Sequence, residues 1–260
     1  MIEVGITGIG LLGPGLADWA GGRALLRDPA AWQPQPTVVP PPQRLPPTER
    51  RRAGTVVKAS IVVADQALAA GGADPQQLAT VFTSSTGDPL NCHLLCEALA
   101  TAERLVSPTR FTNSVHNAPA GYWHIATVSR RPSTSLAAHD ASFEAGLLEA
   151  AVQCSASGEA VLLVACDLPY PEPLHAVRPV SDIFAVALLL APQGGRRLRL
   201  GLGAERAPTA CDNAALDAVR RTIPAARALP LLQALARDAA ATLVLQGQPG
   251  MALQVEIDPA

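Results

Sequence analysis

Lysine is almost absent from this chain. Lys58 is the only one among 260 residues, so nearly all the positive charge is arginine. Aromatic residues make up 3% and the formal net charge is -2. With no basic excess, nothing drives the chain toward nucleic acid or an anionic membrane surface. With so few aromatic rings, a stacking platform for single strands is excluded as well. The longest apolar runs, 161–165 and 183–191, fall far short of the roughly 20 residues that a membrane-spanning helix needs. The opening Met1-Ile2-Glu3-Val4 shows no basic stretch ahead of an apolar one, so no secretory leader is expected. Five cysteines, an odd number, suit free thiols in a reducing compartment. These features together predict a cytoplasmic protein with no membrane span.

Hydrophobic residues reach 48% and charged residues 16%, enough to build a sizeable core. Residues 3–8 read as a strand that ends in a glycine-rich turn, Gly8 to Gly15. A short helix follows at 17–26, then a proline-rich stretch, 28–47, that can be neither helix nor central strand because proline lacks the amide donor. Thr48 reads as the cap of a helix running to Ala70 before Gly71-Gly72. Further on, strands are predicted at 79–85, 133–138, 160–166, 183–190 and 197–205. Helices are predicted at 89–104, 117–129, 141–157 and 225–239. The tail, 242–246 and 252–257 across Gly247-Gln248-Pro249-Gly250, reads as a β-hairpin. Alternating strands and helices predict an α/β fold. The main unit is expected at 1–191, with a C-terminal segment, 192–260, packed on the same domain.

Several motifs suggest chemistry. Gly8-x-Gly10-x-x-Gly13 has the spelling of a dinucleotide fingerprint, but Pro14-Gly15 interrupts the helix start and Asp28 precedes a proline loop instead of closing a second strand. A tight turn is the expected reading, with dinucleotide binding as an alternative. Cys92-His93-x-x-Cys96 puts two thiols one helical turn apart, yet no second ligand pair has zinc spacing. Free buried thiols are expected there, and neither metal nor cofactor. A small thioester hydrolase or acyltransferase would use His139 and a nearby serine such as Ser142, although the hydrolase elbow G-x-S-x-G does not occur. Arg50-Arg51-Arg52 reads as a solvated helix start, with an acidic carrier protein as the alternative contact.

The informative stretch is 111–151. Asn117, Ala120 and Gly121, then Arg130, Pro132 and Ser133, then Ser142, stand in the order and spacing of a known family core. They resemble the "N-x-x-A-G-H", "R-G-P-S" and "T-A-C-x-S" segments of the β-ketoacyl synthases, with Tyr122 in place of the usual histidine and Arg131 in place of the usual glycine. The opening strand 4–10, the helix 50–72 and the strand 158–165 resemble that family too, so the likeness covers about 2–191. It implies a thiolase-like, layered αβαβα fold of which this chain carries the N-terminal half, with a truncated or replaced C-terminal half.

Counting from Pro132, the family's nucleophilic cysteine falls on Asp140. A helix N-terminus favours a thiolate, and the thiolate takes the acyl group as a thioester. A carboxylate in the same place is content to accept backbone N–H bonds, but as a nucleophile it would have to form an anhydride, higher in energy than the thioester it came from. The resemblance also implies two catalytic histidines in the C-terminal half, in "H-G-T" and "G-H" segments, which stabilise an enolate. The five histidines here are His93, His116, His124, His139 and His175, and neither segment occurs. The chain is similar to the short, nucleophile-free chain length factors of the aryl polyene, xanthomonadin type. That likeness implies no catalysis alone, a heterodimer with a full-length β-ketoacyl synthase, and an acyl carrier protein engaged indirectly. It places Ser133 and Ser135 on the strand that pairs across the dimer axis. Ser114, Val115, His116, Asn117, Gly121 and Phe143 are then candidates for tunnel wall and interface.

Overall fold

The computed structural model describes residues 1–259. The strands are β1 (Ile2–Leu12), β2 (Ala79–Thr83), β3 (Ser133–Leu136), β4 (Val161–Asp167), β5 (Phe184–Ala191), β6 (Arg196–Ala204), β7 (Ala241–Gln246) and β8 (Met251–Ile257). They form one sheet in the order β3-β2-β4-β5-β1-β6-β8-β7. The first three of that order are parallel and the rest antiparallel. The helices are α1 (Trp19–Arg27), α2 (Pro47–Arg52), α3 (Thr55–Gly71), α4 (Pro89–Ala100), α5 (Pro108–Thr112), α6 (Ala118–Thr127), α7 (Ser142–Ser157), α8 (Leu174–Val177), α9 (Ala214–Thr222) and α10 (Leu229–Arg237), with 3-10 turns at Pro75–Gln77 and Pro224–Ala228.

The pattern of the central strands explains the layering. Leu162, Val164 and Cys166 of β4 point into one core with α3 and α6, while Val161, Leu163 and Ala165 point into the other with α7, α10 and the turn 224–228. A strand buried on both faces must be apolar throughout, and β4 and β5 are. The three strands contributed by residues after 191 bury only one face. Leu198 and Leu200, Leu243 and Leu245, and Leu253, Val255 and Ile257 face the core. The opposite face is wet and carries charges paired among themselves, Arg199 with Glu256 at 3.0 Å and with Asp258 at 2.8 Å. Period-two alternation is what a half-solvated antiparallel sheet requires.

The glycine-rich opening is not a phosphate loop. Gly8 and Gly10 lie inside β1, and β1 continues to Leu12 before turning at Gly13. A Cβ on Gly8 would stand 2.1 Å from the Ala67 carbonyl oxygen, and one on Gly10 would stand 1.9 Å from that of Val63. The missing side chains let the α3 backbone lie directly against the strand. Both the expected turn at Gly8–Gly10 and the dinucleotide alternative give way to this packing.

The helix expected from Thr48 to Ala70 is two helices. Pro46 stands at the cap of α2, Ala53 is extended, and α3 starts afresh after Gly54. The glycine at the break has a steric reason, since a Cβ at Gly54 would stand 2.1 Å from an Asp88 carboxylate oxygen. Short helices α5, α8 and α9 add to the predicted set. The predicted tail helix starts as the 3-10 turn 224–228 because Pro230 has no amide to donate back into that turn. The hairpin of β7 and β8 stands as expected.

Candidate functional site

The carboxyl ends of β2, β3 and β4 converge, and open parallel sheets bind ligands at such ends. After β3 the chain turns sharply. His139 takes a left-handed φ of 51°, a conformation that costs a non-glycine residue energy and marks an over-determined site. Ser142 holds the elbow from beneath. Its buried hydroxyl accepts from the Ala138 amide at 3.0 Å and donates to the His139 carbonyl at 2.6 Å. Thr83 donates to the Ser142 carbonyl at 2.8 Å, tying the start of α7 to the end of β2.

This geometry disposes of two expectations. Asp140 is not a helix cap, because Ala141 occupies the cap position and no side chain there takes a backbone amide. Asp140 instead accepts from Arg178 at 2.8 Å and lies 3.2 Å from Arg227. The carboxylate prefers two guanidiniums, each bringing full positive charge, over the partial charges of a helix end. Nor do His139 and Ser142 make a nucleophile and base. The serine proton goes to a backbone carbonyl, and the His139 ring is exposed, 3.6 Å from Asp140 through Nδ1.

Residues that sequence reasoning missed complete the site. Arg178 also donates to the Ser85 hydroxyl at 2.6 Å and lies over the Tyr170 ring. Asp167, fully buried at the end of β4, gathers the loop after β2. Its Oδ1 accepts from the Ser85 and Thr86 amides at 2.7 and 2.8 Å and from the Ser84 and Thr86 hydroxyls. Burial pushes its carboxyl up from the ordinary range, and those bonds pull it back. Glu144, in the first turn of α7, is buried with no hydrogen-bond partner on either oxygen. Burial pushes its carboxyl up to about 8, against the pull of Arg227 and Arg220. A charged residue closing an apolar strand signals Asp167. Glu144 has no such signal, since its position looks like any exposed first turn.

The other predicted residues divide. His116 joins the site, its Nε2 lying 3.1 Å from the Ser84 carbonyl. Ser114, Val115, Asn117 and Gly121 are exposed around the start of α6, with Phe111 and Ile125 exposed nearby. Ser133 is exposed and Ser135 half-buried on β3, which pairs with β2 alone and so leaves one edge open. Phe143 is fully enclosed in the core under the sheet and faces no open wall. Cys92 and Cys96 are exposed, not buried as expected, because α4 buries only Pro89 and Asn91. Among the described residues no three metal-ligating side chains cluster. Among the described residues no helix is long and apolar enough to cross a membrane.

The profile of the β-ketoacyl synthase N-terminal domain matches residues 25–249. The chain belongs to the β-ketoacyl synthase family. No curated protein sequence matches it. Among solved structures, it is similar to a chain of the complex of a ketosynthase, ApeO, with its chain length factor, ApeC, from Xenorhabdus doucetiae. The identity is 25% and the TM-score 0.75, over 98% of this chain and 100% of that one. A chain of the ishigamide ketosynthase/chain length factor matches at 15% identity and TM-score 0.72, over 100% of this chain and 99% of that one. A chain of the AntDE:AntF assembly, a type II acyl-carrier protein in complex with its ketosynthase bound to the hexaketide, matches at 13% and 0.76 over 100% of both. The last two are likenesses of fold. The thiolase-like architecture of this ketosynthase-family chain is carried by one eight-stranded sheet between helical layers.

Proposed function

We propose that this chain is a non-catalytic ketosynthase-like subunit, a chain length factor, that pairs in the cytoplasm with an active, full-length β-ketoacyl synthase. The observation that carries the reading is Asp140. The family's strand, elbow and helix are kept, but the nucleophile's place holds a carboxylate clamped between Arg178 and Arg227. Such a group is neither free to attack nor able to form a stable acyl intermediate. The chemistry of a tunnel wall and an interface requires only packing. The open edge of β3 and the sparsely buried α4, with Leu90 and Leu99 exposed, supply surfaces that a partner would cover. The similar ketosynthase and chain length factor complexes support that arrangement. The product class is aryl polyene pigment of the xanthomonadin type, with the carrier protein serving the partner.

The test is co-expression with the full-length ketosynthases of the same genome. We expect a stable one-to-one complex with one of them, and an aggregating chain when it is made alone. A well-behaved monomer that binds none of them, or condensation by the chain unaided, rejects the reading.

A substitution probes the dead centre directly. In Asp140→Cys the thiol would sit between Arg178 and Arg227, and neighbouring cations lower a thiol pKa. It is expected to react with iodoacetamide several times faster than the exposed Cys92 and Cys96, yet to give no condensation. Condensation by this variant would show that the rest of the machinery is present.

A further inference from the structure

A cavity of about 430 Å³ opens beside the elbow, between the loop before β5, the end of α9 and the turn 224–228. Arg178, Arg221 and Arg227 stand in its wall together with His139, Asp140 and Thr222. The charges there do not cancel. Asp140 is shared by Arg178 and Arg227, and Asp217 is shared by Arg220 at 2.5 Å and Arg221 at 3.2 Å. Four guanidiniums thus face two carboxylates, leaving two positive charges over. Asp217 is already counted as ionised, because the bond from Arg220 holds its carboxyl below the usual range. Glu144 is poorly placed to offset it, since burial pushes that carboxyl up to about 8.

The cations are also built in. The Arg227 side chain is only 10% exposed, and it meets Asp140 through Nη2. Guanidinium offers five donors in a fixed fork, so Asp140 and Ser85 do not use up the donors of Arg178, nor does Asp140 use up those of Arg227. An excess of two charges beside a space far larger than a halide calls for an anion of matching charge.

We propose that this cavity binds a small dianion, a phosphate monoester or a dicarboxylate, with Arg178, Arg221 and Arg227 as its cationic wall and Asp140 as a built-in competitor. The site stands on its own geometry, whether or not the chain pairs with a ketosynthase.

The test is calorimetric titration of the purified chain, alone or in its complex, with inorganic phosphate, succinate, acetate and chloride at matched ionic strength and neutral pH. Saturable binding of phosphate or succinate is expected, about tenfold or more tighter than acetate or chloride. Preference for phosphate assigns a phosphate ester, and preference for succinate a dicarboxylate. Asp140→Asn removes the competitor and is expected to tighten the dianion about tenfold. Arg221→Gln is expected to weaken it about tenfold, on the scale of one partly screened charge. Arg221 is largely exposed, so this variant tests binding without threatening the fold. Equal behaviour of all four anions, or dianion binding indifferent to both variants, overturns the proposal.

Discussion

Gly10→Val is expected to leave no soluble, folded protein. Even its first carbon would sit 1.9 Å from the Val63 carbonyl oxygen and 2.7 Å from the carbonyl carbon. Both atoms are backbone, so no side chain can swing aside. Relief would have to move α3, 17 residues long, off β1, which lies between β5 and β6. Overpacking costs about 1–3 kcal/mol where side chains can adjust. Two opposed backbones put this case above that range, against a total stability of about 5–15 kcal/mol for a domain. Circular dichroism and the soluble fraction after expression read the outcome. Gly121→Ala is the control, since nothing lies within 4 Å of its added carbon. That exposed helical site should gain up to about 1 kcal/mol. A folded Gly10→Val protein would mean that α3 does not lie on β1 as described.

The second large effect concerns Glu144 and pH. Its carboxyl is pushed from 4.5 up to about 8 in the folded chain, chiefly by burial. A raised acid binds its proton more tightly when folded than when unfolded. Its contribution is therefore fully present below pH 4.5 and is lost as pH rises through about 8. Across that window the loss approaches about 1.4 kcal/mol per pH unit. Glu144→Gln keeps the shape and removes the titration. Urea unfolding of both proteins at several pH values should show the wild type losing ground to the variant from acid to mildly basic conditions, by several kcal/mol in all. A constant difference between the two proteins would mean that this carboxyl is solvated.

Much of the fold was legible in the sequence, for reasons of periodicity. The run at 161–165 is apolar at every position, and only a strand covered on both faces needs that. The strands after residue 191 alternate, and only a half-wet sheet needs that. The elbow could be found by counting from Pro132 to Asp140. Failures came where a local pattern had two physical explanations. Gly8 and Gly10 have the spelling of a turn, and also that of a strand crossed closely by a helix. The stretch 48–70 has a helical composition on both sides of Gly54, so nothing local reports that Asp88 needs the space there. Cys92 and Cys96 lie on an apolar helix that reads as buried, but burial depends on whether anything packs against it.

By itself, the sequence determined the order of the strands, the longer helices and the family, because each is a property of residues near one another in the chain. The tertiary structure alone decided what Asp140 does. Arg178 and Arg227 reach it from separate later segments, and their approach depends on how the strands cross over and in which register they pair. The same holds for the eight-stranded sheet and for the buried carboxyl of Glu144: a segment's composition records how much of it must be hidden, but not which distant segment does the hiding.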